Sequence, residues 1–355
     1  MSKRYYIFFA FILLFIIGMR IYASNILVEL THKDEPTIQI VDSKGRQVVI
    51  PYPLTNVAVM NPYTAELITA VGAADAIRGV DQDIYENREA FPIPITKDMV
   101  ICGHGEAQIN FEKIIRLRPQ ALFMDAGKDI ERVEKVLGMF GIPVIVLKAD
   151  SAPYFSSNCR LLGKIFQKEE RAAELDAYFT HWERYVKERL ENVPQKRVYY
   201  ECRYFARAVV PGEFFHEMLK PAHAENIFSD ALSIYVSPEY ILLRRPEYIV
   251  RLSDLKDPYS CNPPPQARFE EIAETMRGYP CWAHMDAVEK NRMFLFSYYS
   301  HGGAGKLVGA MFLAKYLYPE YLPDLVPEEI LRVWMEKYQG IPYRSGHTFT
   351  PEDLR

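Results

Sequence analysis

The sequence predicts an α/β protein with two Rossmann-like lobes, bridged by a single long α-helix and with a ligand cleft between them. Short apolar runs rich in Val, Ile, Phe and Tyr alternate with apolar residues at helical spacing along most of the 355 residues. Such alternation is typical of parallel sheets covered by helices. A chain of this length can also form two separate cores. A long amphipathic stretch separates two halves that partly repeat each other.

The N-terminus has the composition of a cleavable export signal. Lys3 and Arg4 precede an apolar run over residues 7–17, and small residues follow at Ala23 and Ser24. These three features describe a secretory signal peptide. A membrane anchor is the alternative, but a spanning helix needs about 20 apolar residues. We therefore expect residues 1–23 to be removed and the mature protein to be periplasmic.

The first half, residues 24–167, begins with a predicted β-hairpin. The segment IQIVDSKGRQVVI at 38–50 contains a Lys-Gly turn between two apolar runs. The strands that follow are predicted from the apolar runs VAVM, ALFM and PVIVL, at 57–60, 121–124 and 143–147. Apolar residues at helical spacing follow each run, so this half reads as an α/β lobe.

The segment from Lys168 to Val193 predicts one interlobe helix. It contains no Gly or Pro, and Pro194 follows it. Its apolar residues recur at steps of three and four, at Leu175, Tyr178, Phe179, Trp182, Tyr185, Val186 and Leu190. This spacing is that of an amphipathic helix. A single helix between two lobes predicts small hinge motions.

The second half, residues 194–320, repeats the α/β pattern, and residues 321–355 form a tail. The strands of this half are predicted from RVYYE, YIVRL and RMFLF, at 197–201, 248–252 and 292–296. In the tail, one helical face carries Ile330, Val333, Trp334 and Tyr338. A final helix should therefore pack against the body of the protein.

Charge bears on the partners of the protein, and cysteine content bears on its disulfides. The net charge is −4, with Lys and Arg scattered, so nucleic acid is not an expected partner. Five cysteines follow the signal, namely Cys102, Cys159, Cys202, Cys261 and Cys281. An odd number leaves at least one thiol unpaired in an oxidising compartment. Cys261 and Cys281 flank a short segment and could form a disulfide; five buried thiols are the alternative.

Two segments of the chain align without gaps. NFEKIIRLRPQALF begins at Asn110, and SPEYILLRRPEYIV begins at Ser237. Each reads as an N-cap, a helix, an Arg-Pro stop and a buried strand, with Pro238 at a first helical position. Glu112 and Glu239 occupy the same helix-start position. An acidic first turn stabilises a helix through its dipole, but its repetition in both halves favours a function.

In these segments the sequence resembles the periplasmic substrate-binding proteins that deliver iron-siderophore complexes, haem, cobalamin or related metal compounds to ABC importers. The order and spacing of VDSKGRQVVIP, GHGEAQINFEKIIRLRPQALF and FLFSYYSHGGAGKLVGAMFLAKYLYPE carry this resemblance, which covers nearly all of the mature chain. It implies an ABC permease dimer with its ATPase as partner, and a role in transport. It also implies that Glu112 and Glu239 pair with permease arginines. We expect a monomer.

The loops after the predicted strands should form the cleft, because ligands of open α/β sheets bind outside the carboxyl ends of the strands. These loops supply the candidate ligand-binding residues, which are Tyr63, Tyr85, His104, Lys128, Arg203, Tyr204, Tyr299 and His301. Aromatic walls can bury a large flat ligand, and basic groups can neutralise an anionic chelate. Only one of Tyr298 and Tyr299 should face the cleft, and we assign Tyr299 to it.

The segment SYYSHGGAGKLVGA at 297–310 is one of these cleft loops rather than a P-loop. Leu307 stands where Ser or Thr must follow Gly305-Lys306, and Ser300 replaces the first glycine. His104 and His301 are candidate metal ligands, with capping of the following helices as the alternative.

We expect the ligand to be a ferric siderophore or another metal chelate, with haem or cobalamin as the alternative and a bare metal ion third. No cofactor is expected. The sequence contains no H-E-x-x-H motif, no G-x-S-x-G elbow and no glycine fingerprint after a strand, so no catalytic residue is predicted. A chelatase-like enzyme and a sensor module that presents a ligand to a membrane receptor are the alternatives from other classes.

Overall fold

The computed structural model of the protein describes residues 36–127, 129–253, 260–279, 282, 285–301 and 303–350. The predicted signal peptide lies outside them. Two five-stranded sheets and a two-stranded hairpin form the β structure of this part of the chain. Among these residues no helix has the length and apolar character needed to cross a membrane. The predicted α/β class with two parallel sheets is confirmed.

The first lobe follows the hairpin with alternating strands and helices. Its elements are β1 (Thr37–Val41), β2 (Gln47–Pro51), β3 (Val57–Val59), α1 (Pro62–Ala70), β4 (Ile77–Asp81), α2 (Gln82–Glu86), β5 (Val100–Cys102), α3 (Phe111–Leu117), β6 (Ala121–Met124), α4 (Ile130–Gly138), β7 (Val144–Val146) and α5 (Phe155–Phe166). The sheet has the order β5-β4-β3-β6-β7, and every pair in it is parallel. The hairpin β1–β2 is antiparallel, as its Lys-Gly turn predicted.

The interlobe helix α6 spans Glu169–Arg189. Its 21 residues extend about 31 Å at 1.5 Å per residue. It ends four residues before the predicted limit at Val193, because the chain leaves the helical conformation at Leu190. Within the helix the buried residues are Ala172, Leu175, Phe179 and Val186. The Phe179 ring meets Trp334 of the tail edge-on, so the helix packs against the C-terminal segment as well.

The second lobe contains a sheet of order β12-β11-β10-β8-β9. Its elements are β8 (Lys196–Cys202), β9 (Ala224–Asn226), α7 (Pro238–Arg244), β10 (Tyr248–Leu252), α8 (Gln266–Arg277), α9 (Asp286–Glu289), β11 (Met293–Phe296), α10 (Gly303–Leu317), α11 (Pro327–Arg332) and β12 (Thr348–Phe349). The pairs are parallel except β11–β12, which is antiparallel.

The C-terminal tail packs on the body as predicted but is not only helical. Ile330, Trp334 and Tyr338 are buried. The α11 helix changes to a π-helix over Val333–Tyr338, and the chain then adds β12 to the edge of the second sheet. The strand was not predicted, because two residues carry no detectable alternation.

The described cysteines are free thiols. Cys102, Cys159, Cys202 and Cys261 are all buried and unpaired, so these four agree with the alternative of buried thiols. Cys281 lies outside the described residues. Burial raises the pKa of the Cys202 thiol to about 11 and that of Cys159 to about 12, so both stay protonated at neutral pH.

Buried polar contacts join the two lobes beside the cleft. Lys306, near the start of α10, is fully buried and donates from Nζ to Glu217 Oε2 at 2.9 Å and to the carbonyl of Asp150 at 2.6 Å. Glu217 also accepts from Ser151 Oγ at 2.8 Å and from the Ala152 amide at 2.9 Å. Lys306 and Glu217 therefore form an ion pair within the second lobe, and each partner also bonds to residues 150–152 of the first lobe.

Candidate ligand-binding cleft

A cavity of about 380 Å³ lies between the lobes. Its walls are formed by Tyr63, Cys202, Arg203, Tyr204, Arg207, Phe214, Phe215 and Tyr298. Tyr63 follows β3 in the first lobe, whereas the others follow β8 and β11 in the second. The cavity therefore lies at the carboxyl ends of strands, where the sequence predicted it.

Tyr63 enters the cavity because α1 begins directly after β3. The Asn61 side chain caps this helix and accepts from the amides of Tyr63 and Thr64, at 2.9 and 3.1 Å. The Tyr63 ring lies 5.6 Å from that of Phe214 of the other lobe. Burial raises the pKa of Tyr63 well above its usual value, so its phenol is neutral.

Arg203 lies in a left-handed turn after β8, with φ +62°. This conformation is uncommon for a residue other than glycine. Its guanidinium carbon lies 4.1 Å from the centroid of the Tyr298 ring and 6.0 Å from that of Phe215. The buried Nε has no acceptor in the described part of the protein. The sequence correctly predicted that Arg203 reaches the cleft.

Arg207 is a second cavity arginine, which sequence analysis missed. Its Nη2 donates to Glu213 Oε1 at 2.8 Å, while its buried Nη1 has no acceptor among the described residues. A bridge between Glu201 and Ala208 turns the chain back after Tyr204, which brings Arg207 to the same cavity as Arg203. Little in the sequence indicated this position for Arg207, because the loop segment RYFAR does not reveal that the chain reverses.

The two tyrosines after β11 have opposite environments. Tyr298 lines the cavity, and its pKa is raised by burial, with the Arg203 charge and a hydrogen bond with Tyr63 acting in the other direction. Tyr299 is only 2% exposed, and its ring lies 5.1 Å from that of His347 in the tail. The prediction that Tyr299 faces the cleft is therefore corrected, because Tyr298 is the tyrosine that lines it.

The other predicted ligand contacts divide into three groups. Tyr204 lines the cavity and is half exposed at its rim. Tyr85 and His104 lie in the first lobe and do not belong to the described lining; Tyr85 packs under the Arg88 guanidinium, at 5.1 Å. Lys128 and the side chain of His301 fall outside the described part of the structure.

His104 contacts two carboxylates of the first lobe. Its Nδ1 lies 2.7 Å from Asp83 Oδ1, and its Nε2 lies 3.6 Å from Glu86 Oε1. The hydrogen bond with Asp83 raises the pKa of this exposed histidine. Across the described residues, no group of three or more His, Cys, Asp or Glu side chains could hold a metal ion.

The repeated helices α3 and α7 place Glu112 and Glu239 in matching positions. Both helices have seven residues and end in a left-handed arginine, Arg118 or Arg245. Each lies between parallel strands, so its first turn lies at the carboxyl edge of the sheet, as the cleft does. Glu112 is exposed and pairs with Arg116 one turn later, at 2.7 Å.

The two helix starts differ in their caps. Asn110 caps α3 as predicted by accepting from the Lys113 amide at 2.9 Å. Ser237 makes no side-chain cap bond; its hydroxyl donates to the Glu239 carboxylate instead. This bond lowers the pKa of the exposed Glu239 carboxyl. Ser237 therefore occupies the predicted N-cap position without a side-chain cap bond, and the glutamates remain equivalent in position.

Two parallel-sheet lobes, one connecting helix and an interlobe cavity define the class of bilobed solute-binding proteins. The family model described as periplasmic binding protein matches residues 57–297. The chain belongs to this family, whose members bind solutes for ABC transporters.

Relatives of known structure share the fold at low identity. The molybdate-binding protein MolA of Haemophilus influenzae is 20% identical over an alignment of 342 positions, gaps included, which covers 87% of this chain and 92% of MolA. The structure of MolA bound to molybdate matches with a TM-score of 0.67 and 18% identity, over 86% of this chain and 99% of that chain. The TroA-like periplasmic binding protein FepB from Veillonella parvula matches with a TM-score of 0.73 and 21% identity, over 88% and 99%.

A periplasmic haem-binding protein from Pseudomonas aeruginosa matches with a TM-score of 0.57 and 17% identity, over 75% of this chain and 94% of that chain. At such identities these likenesses show the fold alone.

Proposed function

We propose that this protein captures an anionic metal compound for an ABC importer and binds it through Arg203 and Arg207. The observation that carries this proposal is the pair of guanidinium groups in one aromatic cavity, each with a buried N–H that lacks an acceptor in the described protein. A buried unsatisfied donor costs about 1–3 kcal/mol. An anion that accepts from both groups removes this cost, and arginine stays charged at any physiological pH.

A ferric siderophore or a similar metal chelate is the first candidate ligand. Tyr63, Phe214, Phe215 and Tyr298 offer ring surface on several sides of the arginines. Such rings bury a large planar ligand at low entropic cost. The cavity volume of about 380 Å³ lies in the range of roughly 300–1,000 Å³ that is usual for small-molecule sites. Haem or a corrinoid is the alternative within the same class.

A metal oxyanion is the second candidate. It is favoured by the relative named as molybdate-binding, together with the two free guanidinium N–H groups, which suit the oxygens of a small tetrahedral anion. An oxyanion needs the arginines but not the aromatic walls. The two candidates therefore differ in their dependence on Tyr298 and Phe214.

We further propose that Glu112 and Glu239 dock the loaded protein on the permease dimer. Both carboxylates are exposed at the sheet edge that carries the cleft, one on each lobe. Two matching charges on two lobes suit two permease subunits. The mature protein would then act in the periplasm.

The deciding experiment is native mass spectrometry and an absorption spectrum of the protein purified from its own periplasm. These are followed by calorimetric titration with ferric tris-catecholate and with sodium molybdate. We expect binding of one of the two anions, weakened by Arg203→Ala and Arg207→Ala. A Soret band or a corrinoid spectrum would select the tetrapyrrole alternative. Binding of free cations only, with neither anion bound, would overturn the proposal.

A further inference from the structure

The buried ion pair between Glu201 and Arg251 holds the loop that carries both cavity arginines. We propose that this pair is the positioning element of the anion site. The inference deepens the proposed function and rests on it for the identity of the ligand as an anion. Its geometric part, that the pair fixes the loop over residues 202–207, stands independently of any ligand.

The pair lies at the carboxyl edge of the second sheet. Glu201 is on β8 and Arg251 on β10, and the two residues are direct partners in the parallel register. Arg251 Nη1 donates to Glu201 Oε1, and both side chains are buried, with at most 5% of either exposed. A buried pair of this kind is by itself weak evidence for stability, because apolar residues can often replace it. Its other contacts show what it does.

Each partner also bonds to the backbone of the same loop. Arg251 Nη2 donates to the carbonyl oxygen of Arg203 at 2.5 Å. Glu201 Oε2 accepts from the amide of Ala206 at 3.0 Å, and also from the Tyr199 hydroxyl at 3.1 Å. The pair therefore holds the loop at two points, three residues apart.

These two points are the strained residues of the loop. Arg203 has φ +62° and Ala206 has φ +57°, and neither is glycine. Such conformations persist where surrounding contacts impose them, and they are common at ligand sites. A further bond from the Cys202 amide to the Arg207 carbonyl, at 2.8 Å, closes the turn. Both arginines reach the cavity as a result.

The pair has no net charge, so its removal changes the position of the cavity arginines more than the charge of the site. This separates its role from that of Arg203 and Arg207, which contact the ligand in our proposal. Removal of both partners also avoids leaving one buried charge unpaired. The double variant Glu201→Gln/Arg251→Met is therefore the appropriate test protein.

The matched control is Asp42→Asn/Arg46→Met. Asp42 is a buried carboxylate that pairs with Arg46 and accepts from loop amides, including that of Lys44 at 2.9 Å, but it lies in the first lobe outside the cavity lining. The Asp42→Asn/Arg46→Met variant should lose a comparable amount of stability without affecting the anion site.

The ligand-free experiment is amide hydrogen exchange. In the Glu201→Gln/Arg251→Met variant we expect residues 202–207 to exchange at least about tenfold faster than in the unaltered protein, with the centre of β11 unchanged. The Asp42→Asn/Arg46→Met control should leave this loop unchanged. Equal exchange of the loop with and without the pair would overturn the inference, whatever the protein binds.

The ligand experiment is a double-mutant cycle with ferric tris-catecholate and sodium molybdate as probes. We expect the pair variant to bind the preferred probe about tenfold more weakly, and to lose clearly less when Arg203→Ala is already present. An equal loss in both backgrounds would contradict positioning of Arg203. If the unaltered protein binds neither probe, the proposed function fails, and hydrogen exchange alone decides whether the pair positions the loop.

Discussion

At the scale of single residues, Arg203 and Arg207 concentrate positive charge in a cavity whose described lining contains no carboxylate. Glu213 neutralises one side of Arg207 only, at 2.8 Å from Nη2. An anion that reaches both arginines would form charge-assisted hydrogen bonds, which are stronger than neutral ones. The affinity for the ligand should thus depend on each arginine separately.

We expect Arg207→Ala to weaken anion binding by about 1.5–3 kcal/mol, as for Arg203→Ala, because each removes a hydrogen bond to a charged group. Calorimetric titration measures the loss. Arg197→Ala is the control, since Arg197 lies at the opposite end of β8 and contacts Glu225 at 3.8 Å. Unchanged affinity in Arg207→Ala would remove this residue from the site.

Substitution of Tyr298 should affect ligand affinity, whereas substitution of Tyr299 should affect the stability of the fold. Tyr298→Ala removes a cavity wall, and we expect weaker binding by roughly 0.5–1.5 kcal/mol if the ligand is aromatic. Tyr299→Ala leaves a hole among buried residues and should lower the unfolding free energy by about 3–5 kcal/mol, with affinity retained. Titration and denaturant unfolding of both variants test this. The reverse pattern would return Tyr299 to the cleft.

Asp81 should make stability depend on pH. Burial raises the pKa of its carboxyl to about 7; Asp83 and Glu106 add to this, while the hydrogen bond from the Ile84 amide and the charge of His104 oppose it. A folded pKa above the unfolded value means that protonation favours the folded state. The contribution of Asp81 to the free energy of unfolding is therefore fully present below about pH 4 and is lost as the pH rises through about 7.

We expect ionisation of Asp81 to lower the free energy of unfolding by up to about 4 kcal/mol between about pH 4 and pH 7. Asp81→Asn keeps an oxygen for the Ile84 amide and should flatten the decline. Urea unfolding between pH 5 and pH 8 measures both proteins. The same slope in both would show that another group is responsible.

At the scale of elements, the repeated helices α3 and α7 carry the matching glutamates. Reversal of either charge, by Glu112→Arg or Glu239→Arg, should impair uptake by membrane vesicles while ligand affinity stays within about threefold, because exposed charges act mainly on encounter with a partner. Glu170→Arg is the matched control, as Glu170 lies in the first turn of α6, outside the repeat. A loss of affinity with normal uptake would contradict the assignment.

The sequence predicted elements well where periodicity or repetition was strong. Ala121–Met124 and Tyr248–Leu252 have the predicted strand limits, and α6 ends within four residues of its prediction. Residues in the cleft were harder to predict, because their directions depend on turns. Arg207 reaches the cavity through a chain reversal, and Tyr299 points inward because a 3-10 turn follows β11.

Contacts with distant residues were the least predictable feature. Lys306 looked like part of a failed phosphate loop, yet its partner Glu217 lies 89 positions away in sequence. The sequence predicted that the Ser237 side chain caps a helix, but its hydroxyl donates to the Glu239 carboxylate. Local patterns identify which residues can form polar contacts, whereas the packing of the lobes decides which contacts form.

At the scale of the whole molecule, the two lobes are joined by more than the connecting helix. Lys306 and Glu217 of the second lobe contact the first lobe at the Asp150 carbonyl, at 2.6 Å, and at Ser151 Oγ, at 2.8 Å. In addition, Gln339 of the tail donates to the carbonyl of Glu66 in the first lobe at 3.1 Å. These polar contacts oppose both rotation and separation of the lobes.

We therefore expect ligand binding to change the radius of gyration by less than about 1 Å, in contrast to hinge-bending binding proteins that close around their ligands. Small-angle scattering with and without saturating ligand measures this change. The variant Lys306→Met/Glu217→Gln removes the ion pair that makes the polar contacts to the first lobe, without leaving a buried charge, and it should scatter as a more open molecule when free. Arg268→Met/Glu271→Gln, which removes a pair 2.5 Å apart within α8, is the control and should scatter as the unaltered protein does. A contraction of several ångströms on binding in the unaltered protein would show that these contacts break during capture.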